Sequence, residues 1–250
     1  LNLNKVKAFC RENGVSENVL FLTAFNYCIG IFSGEKDAIS TSIHSGRTDG
    51  RWIRLAGPLF LTYLFRYTVI PHETVPELLR RAGKQVMESM RCHISTIHGD
   101  EMFFQYQGDI LNINEIGGAP AERLKIQLDA LPFHLQVFSD SQGYYYELRY
   151  WENRFDRDQL AVFMTCMERI VEAMLEEPSA RRLKSHLPEN VFPKHYFIKA
   201  SGVNRTAGFR LIPEIGWDME VKAYVLDDAC RKQPFGGWGN LYIMDHPTLG

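Results

Sequence analysis

From Val19 to Phe32 the chain is apolar on nearly every side, with Thr23, Asn26 and Tyr27 as its polar members. Ser16 can open this run as a helix and Gly34 can close it. A helix of that kind cannot rest on a surface and must be covered on most sides. It is shorter than the ~20 residues needed to span a bilayer, so protein has to cover it. Upstream, Asn4 can cap a short helix through Val6, Phe9 and Cys10, ended by Gly14. Downstream, Ala38–Ile43 alternates like a strand, and Leu59–Tyr67 is a second, more continuously apolar one.

The remaining elements follow the same logic. Thr74-Val75-Pro76-Glu77 has capping-box spacing, with Pro in the first turn. It leads a helix carrying Leu78, Leu79, Ala82, Val86, Met87 and Met90 on one side. Strands are expected over Met102–Gln107, Ile126–Phe138 (which Pro132 can interrupt) and Tyr144–Tyr150, with a Gln142-Gly143 turn before the last. The Tyr144-Tyr145-Tyr146 run alternates faces, so at least one ring points away from the core. Asp156-x-x-Gln159 caps a final helix facing inward through Leu160, Phe163, Met167, Ile170, Met174 and Leu175, and Pro178 stops it. Helix, helix, strand, strand, helix, three strands, helix reads as an α/β fold, a mixed sheet with helices on one face.

With 250 residues there is room for one large domain, or a medium one with an appendage. A formal net charge of -2 gives no case for nucleic acid, which needs a concentrated basic face. Five cysteines without close pairs suit a reducing cytosol rather than a disulfide framework. No basic, apolar, small-residue leader opens the chain. Its first residues read as a helix already inside a domain, so a truncated module in the cytoplasm is the expectation.

Between the first two strands stands His44-Ser45-Gly46-Arg47, and Leu55 to Arg66 follows. This resembles the second half of a condensation domain of the nonribosomal peptide synthetases. There a strand ends in a Ser-Gly-Arg-like turn before a segment of the type Ile-Gly-x-Phe-Val-Asn-Thr-x-x-x-Arg. Gly57, Thr62 and Arg66 fall on fixed positions of that segment, and Leu61 takes the position of its Asn. Phe103-Phe104-Gln105 and the Leu148 to Asp156 stretch resemble later strand motifs of the family. The match covers roughly residues 1–178. It departs between His93 and Glu101, where only His93 of the family's run is kept.

Residues 179–210 are polar, basic and punctuated by Pro188 and Pro193, as a linker is. In 211–250, Ile215-Gly216, Val221 to Asp228 and Pro234 to Ile243 resemble a small β-rich subdomain of the adenylation domains, with Asn240 where that family has Glu. Gly236-Gly237-Trp238-Gly239 reads as a strand-connecting turn, and no Ser-Gly-Thr-Thr-Gly phosphate loop occurs.

The resemblance implies a chloramphenicol-acetyltransferase-like sandwich lobe, and chemistry in which an acyl thioester meets an amine. Each is delivered on a phosphopantetheine arm carried by a partner carrier protein. It also implies where the proton is handled: in a His-His-x-x-x-Asp-Gly sequence of the first lobe. This chain contains no adjacent His pair. What the second lobe offers is the opposite channel wall, for which His44, Ser45, Leu61, Thr62 and Tyr63 are the candidates. Gly46, Arg47, Gly57 and Arg66 are expected to hold the fold, with Arg66 paired to a carboxylate at a strand end. Leu61 in place of Asn removes a polar group from the channel and points to a degenerate or adapted lobe. His93 and His98, with Cys92 and Asp100 nearby, make an incomplete metal set, so no metal is expected, and no cofactor bound by this chain.

Three functions remain open. One is a structural and docking element of a synthetase, without catalysis of its own. Another is active condensation once a first lobe, upstream or on a partner chain, completes the site. The third is a binding protein that shares the lobe but not the pathway. Expected partners are the first lobe and the adenylation and peptidyl-carrier domains, with neither nucleic acid nor membrane.

Overall fold

The computed structural model describes residues 1–33, 37–47, 49–52, 54–57, 59–68, 70, 72–92, 102–109, 115–121, 131–153, 155–179, 198–199, 208–209, 222–226, 228–229 and 240–244. Asn2, two residues before the expected Asn4, caps the first helix, α1 (Leu3–Asn13), by accepting the Lys5 N–H at 3.0 Å. Gly14 ends it in the left-handed region at φ 66°, as a C-terminal glycine should. Ser16 Oγ accepts the Val19 N–H at 3.2 Å and opens α2 (Glu17–Ser33). Gly34 lies outside the described residues. The all-round apolar character of α2 has its explanation in its neighbours, since it touches α1, three strands of the sheet and two helices that follow.

Those are α3 (Val75–Ser89) and α4 (Arg157–Glu176). The strands are β1 (Asp37–His44), β2 (Leu61–Thr68), β3 (Met102–Gly108), β6 (Phe133–Ser139) and β7 (Tyr144–Tyr150). A two-residue pair, β4 (Glu115–Ile116) and β5 (Ala119–Pro120), turns over Gly117-Gly118. The sheet order is β2-β1-β3-β6-β7. Its centre, β1-β3-β6, is parallel, and both edges are antiparallel. Between the parallel neighbours β1 and β3 the chain passes through β2 and α3, and between β3 and β6 the described elements are β4 and β5, stretches of the length that parallel neighbours require.

One face of the sheet meets the helices. The Phe25 ring of α2 lies 5.3 Å from Phe104 and 5.9 Å from Phe133, and 5.8 Å from Phe163 of α4. Each fully buried ring of this size contributes about 1.5–3 kcal/mol. Phe65, Leu135 and Val137 complete this layer, all at 1% exposure or less. Tyr144 and Tyr146 turn toward Phe21 on the same face, while Tyr145 stacks on Phe138 on the other.

Local signals set the element ends. The Glu77 carboxylate accepts from Thr74 N–H (2.9 Å) and Thr74 Oγ1 (2.6 Å). Asp156 Oδ1 accepts the N–H groups of Asp158 and Gln159, each at 3.0 Å. Asp140 Oδ1 does the same for Gln142 and Gly143 in the β6–β7 turn. Two expectations need correcting. Met87 is 61% exposed, because it sits about 100° round α3 from Val86 and off the buried stripe of Leu78, Leu79, Ala82 and Val86. The strand expected from Ile126 begins at Phe133, directly after Pro132, which has no N–H to give a ladder; residues 126–130 lie outside the described set.

In the tail, β8 (Ile198–Lys199) pairs with β9 (Gly208–Phe209), and β10 (Lys222–Leu226) pairs antiparallel with β11 (Asn240–Met244). The last two correspond to strand segments expected there. Most of 179–210, including the expected linker boundary, and the Gly236–Gly239 turn fall outside the described residues.

Candidate functional site

The C-terminal ends of β1 and β3 and the start of α2 come together at one end of the sheet. β1 finishes at His44, whose Nδ1 accepts the Gly46 N–H at 3.2 Å. Gly46 sits at φ 66° with the Leu59 carbonyl oxygen 1.7 Å from where a Cβ would stand. Only glycine lets the two arms of the loop pass this closely. Arg47 then staples that loop: its Nη2 donates to Leu55 O (3.0 Å) and Gly57 O (3.1 Å). Its own N–H goes to Ser45 Oγ at 3.3 Å. At the far end of the hairpin, Arg66 Nη2 donates to Asp37 Oδ2 at 3.0 Å, the carboxylate at the start of β1.

Strand register decides which candidates share a surface. His44 pairs with Leu61, Ile43 with Thr62 and Ser42 with Tyr63. Partners share a face and consecutive residues do not, so His44, Leu61 and Tyr63 stand on the helix side and Thr62 on the other. Tyr63 is fully buried in the helix-side core. Its hydroxyl accepts from Asn18 Nδ2 at 3.5 Å, and burial pushes its pKa up. The His44 ring lies 6.0 Å from it. Ser45 is exposed, Leu61 half-buried and Thr62 7% exposed. The five residues therefore divide between the lip of the hairpin and two faces.

A neighbouring cluster gave no signal in the sequence. Glu17, in the first turn of α2, accepts from the hydroxyls of Tyr106 (2.5 Å) and Tyr144 (2.6 Å). Burial, then the Glu17 carboxylate that each hydroxyl faces, raises both tyrosines far above their ordinary range. Glu17 and Tyr106 edge an open cleft of about 560 Å³ with Lys7, Cys10, Arg11 and Asn18. Burial, with Glu17 adding to it, pushes the Cys10 thiol up to about 12, so it is protonated and unreactive at neutral pH. The pair of tyrosines could have been found only with the fold in hand, because each lies on a strand remote in sequence from Glu17.

No metal cluster of three or more His, Cys, Asp or Glu side chains occurs among the described residues. His93, His98 and Asp100 lie outside them. No helix among the described residues is long and apolar enough to cross a membrane.

No family model matches the sequence, and no curated protein does. Solved structures do match its fold. The chain is similar to the SgcC5 protein from Streptomyces globisporus, with a TM-score of 0.55 at 16% identity, over 71% of this chain and 46% of that one. A four-domain nonribosomal peptide synthetase, holo-AB3403 bound to AMP and glycine, gives 0.58 at 13% identity, over 79% of this chain and 18% of that one. The first condensation domain of the CDA synthetase gives 0.52 at 12%, over 71% and 43%. The chain thus spans less than half the length of each. Identities this low speak to architecture alone, and the architecture is that of a condensation-like domain of the nonribosomal peptide synthetases.

Proposed function

We propose that the chain is the second lobe of a condensation domain in a nonribosomal peptide synthetase, acting by itself as a structural and docking element. The observation that carries this reading is the likeness of the lobe to condensation domains of which it spans less than half. In such chemistry an amine attacks an acyl thioester: a C–N bond forms, the C–S bond breaks, and the amine proton must be taken up. No two histidines are adjacent in this sequence, so on this reading that proton is handled in the first lobe. The hairpin lip at His44, Ser45 and Leu61, with Thr62 beyond it, walls the acceptor side. Phosphopantetheine arms arrive on partner carrier proteins. Residues 179–210 link the lobe to an adenylation-like piece at 211–250, whose β10–β11 hairpin is tied by Asn240 Nδ2 donating to Asp228 Oδ1 at 3.3 Å. The assembly is cytoplasmic.

The direct test offers the purified chain two loaded carrier proteins. No peptide bond is expected, and any product above background would end the non-catalytic half of the proposal.

Active condensation in a completed domain is the second reading, and exposed apolar groups favour it. Leu55, Phe60 and Leu64 are 50%, 55% and 41% exposed around β2, and Ile39 on β1 is 56% exposed. Side chains of this type on a free surface mark contact with another protein. A first lobe carrying the His pair, supplied in trans, is expected to bind and to give product. A chain with Ile39→Lys and Leu64→Lys keeps its unfolding midpoint but binds that lobe at least roughly tenfold more weakly, ~1.4 kcal/mol. Undiminished binding by the double variant rules this surface out.

A further inference from the structure

The two edges of the sheet are finished differently. On β2 the carbonyls of Arg66 and Thr68 are taken up by α3: Gln85 Nε2 donates to the first, and Arg81 Nη2 to the second at 3.0 Å. Side chains that occupy an edge in this way keep further strands off it. At the other edge, β7, no described side chain does this.

Ladder parity shows which groups β7 leaves open. Trp151 N–H donates to Pro132 O at 3.0 Å, and Asp140 N–H to Gly143 O at 2.9 Å, at the two ends of the β6–β7 pair. With the register running unbroken between them, Tyr145, Glu147 and Arg149 turn their backbone groups to β6. Tyr144, Tyr146, Leu148 and Tyr150 turn theirs outward, and no described residue bonds them. All four residues are half-buried, as members of an open edge are. A row of outward N–H and C=O groups of this length is a template for another strand.

Charge decides which strand fits. Glu168 and Glu172 are exposed on successive turns of α4. Their field reaches this edge: burial, then these two carboxylates, push the Tyr146 hydroxyl up. Neither makes an ion pair with a described residue, whereas Glu176, one turn further on, is tied to Lys5 at 3.1 Å. The ion pair of Glu147 with Arg149 lies on the other face of β7. Two negative charges therefore border the open edge on its helix side. A strand added to β7 sends alternate side chains to that side.

We propose that β7 accepts an extended peptide segment as an antiparallel sixth strand, with Lys or Arg at the alternate positions that face α4. The backbone supplies the attachment, and the two carboxylates select the sequence. This edge is the one remote from β2, so the inference holds whether or not a first lobe joins the chain. Opposed residues share a face and bond through the same backbone groups, so the basic residues are also the ones whose amides meet β7.

The experiment titrates the full, isotope-labelled chain with a capped seven-residue peptide of alternating Lys and Thr. Two control peptides carry Glu in place of Lys, or N-methyl groups on the Lys amides. The Lys peptide is expected to bind saturably and to slow amide exchange at Tyr146 and Leu148 by about tenfold or more. Tyr145 and Glu147, already bonded to β6, keep their rates. Both controls are expected to bind far more weakly. A chain with Glu168→Gln and Glu172→Gln, two exposed positions, keeps its unfolding midpoint and loses about fivefold in affinity for the Lys peptide. No binding of that peptide, equal binding of either control, protection that does not alternate along β7, or undiminished affinity in the double variant each overturn the proposal.

Discussion

Gly46 and Gly14 share a φ of 66° but not their surroundings: a Cβ on Gly14 meets nothing within 4 Å, whereas one on Gly46 meets the Leu59 backbone. Gly14→Ala should therefore cost about 1–2 kcal/mol, the left-handed penalty alone. Gly46→Ala should cost roughly 3 kcal/mol or more, since a backbone carbonyl must move as well. Urea midpoints of the two variants separate these contributions, and equal losses would refute the close approach. His134 gives a pH-dependent counterpart. Burial, then Arg149, hold its folded pKa at about 4, below the ordinary 6.5, so the unfolded chain takes up the proton first as pH falls. Its share of stability is complete above about pH 6.5 and drains away toward pH 4. At about 1.4 kcal/mol per tenfold change in proton affinity, that share is at most about 3.5 kcal/mol. His134→Gln, beside the unchanged Glu147 and Arg149, should flatten the midpoint-against-pH curve in that window. A variant as steep as the parent would contradict it. Single residues were legible in the sequence where their work is local, as with Ser16, Asp156 and the Thr74–Glu77 pair. Asn2 and Asn4 offer the same cap two positions apart, and spacing alone cannot choose between them. The burial of Tyr63 is not legible in its own neighbourhood, because a strand residue's face depends on its partner's register.

At the level of elements, periodicity carried the reading. The all-round apolar α2 had to be enclosed, and it is, between the sheet and the other helices. What periodicity could not disclose is how α2 is anchored. Glu17 reaches Tyr106 and Tyr144 across 89 and 127 residues of sequence. Glu17→Leu strands two part-buried hydroxyls and should cost about 2–3 kcal/mol. Adding Tyr106→Phe and Tyr144→Phe to it should recover part of that loss, because the two hydroxyls that faced the Glu17 carboxylate are then gone. If the triple variant unfolds at still lower urea than Glu17→Leu, the three groups do not act as a unit. The candidate site itself is half legible: the Ser45-Gly46-Arg47 turn stands out through its resemblance to the condensation-domain motif, and the tyrosine pair carries no such signal.

For the whole molecule, the order of elements implied a mixed sheet, and the strand order of that sheet could not be read from the chain. The order matters, because the sheet consists of two leaves of unequal width, the antiparallel pair β1–β2 and the mixed set β3–β6–β7. β1 and β2 run in register from Asp37↔Thr68 to His44↔Leu61, and β6 and β7 from Phe133↔Tyr150 to Ser139↔Tyr144, with β3 laid along β6. Between β1 and β3 the described register is only Thr41↔Phe103 and Ser42↔Phe104, and parallel pairing is the weaker kind per residue. Native-state hydrogen exchange should therefore sort the sheet amides into two groups with distinct opening free energies, divided at this line. A single common value for all five strands would show instead that the lobe opens as one piece. Two such groups of amides would mean a lobe that flexes as a book does about its spine, altering the angle between its covers while the print on each page stays fixed.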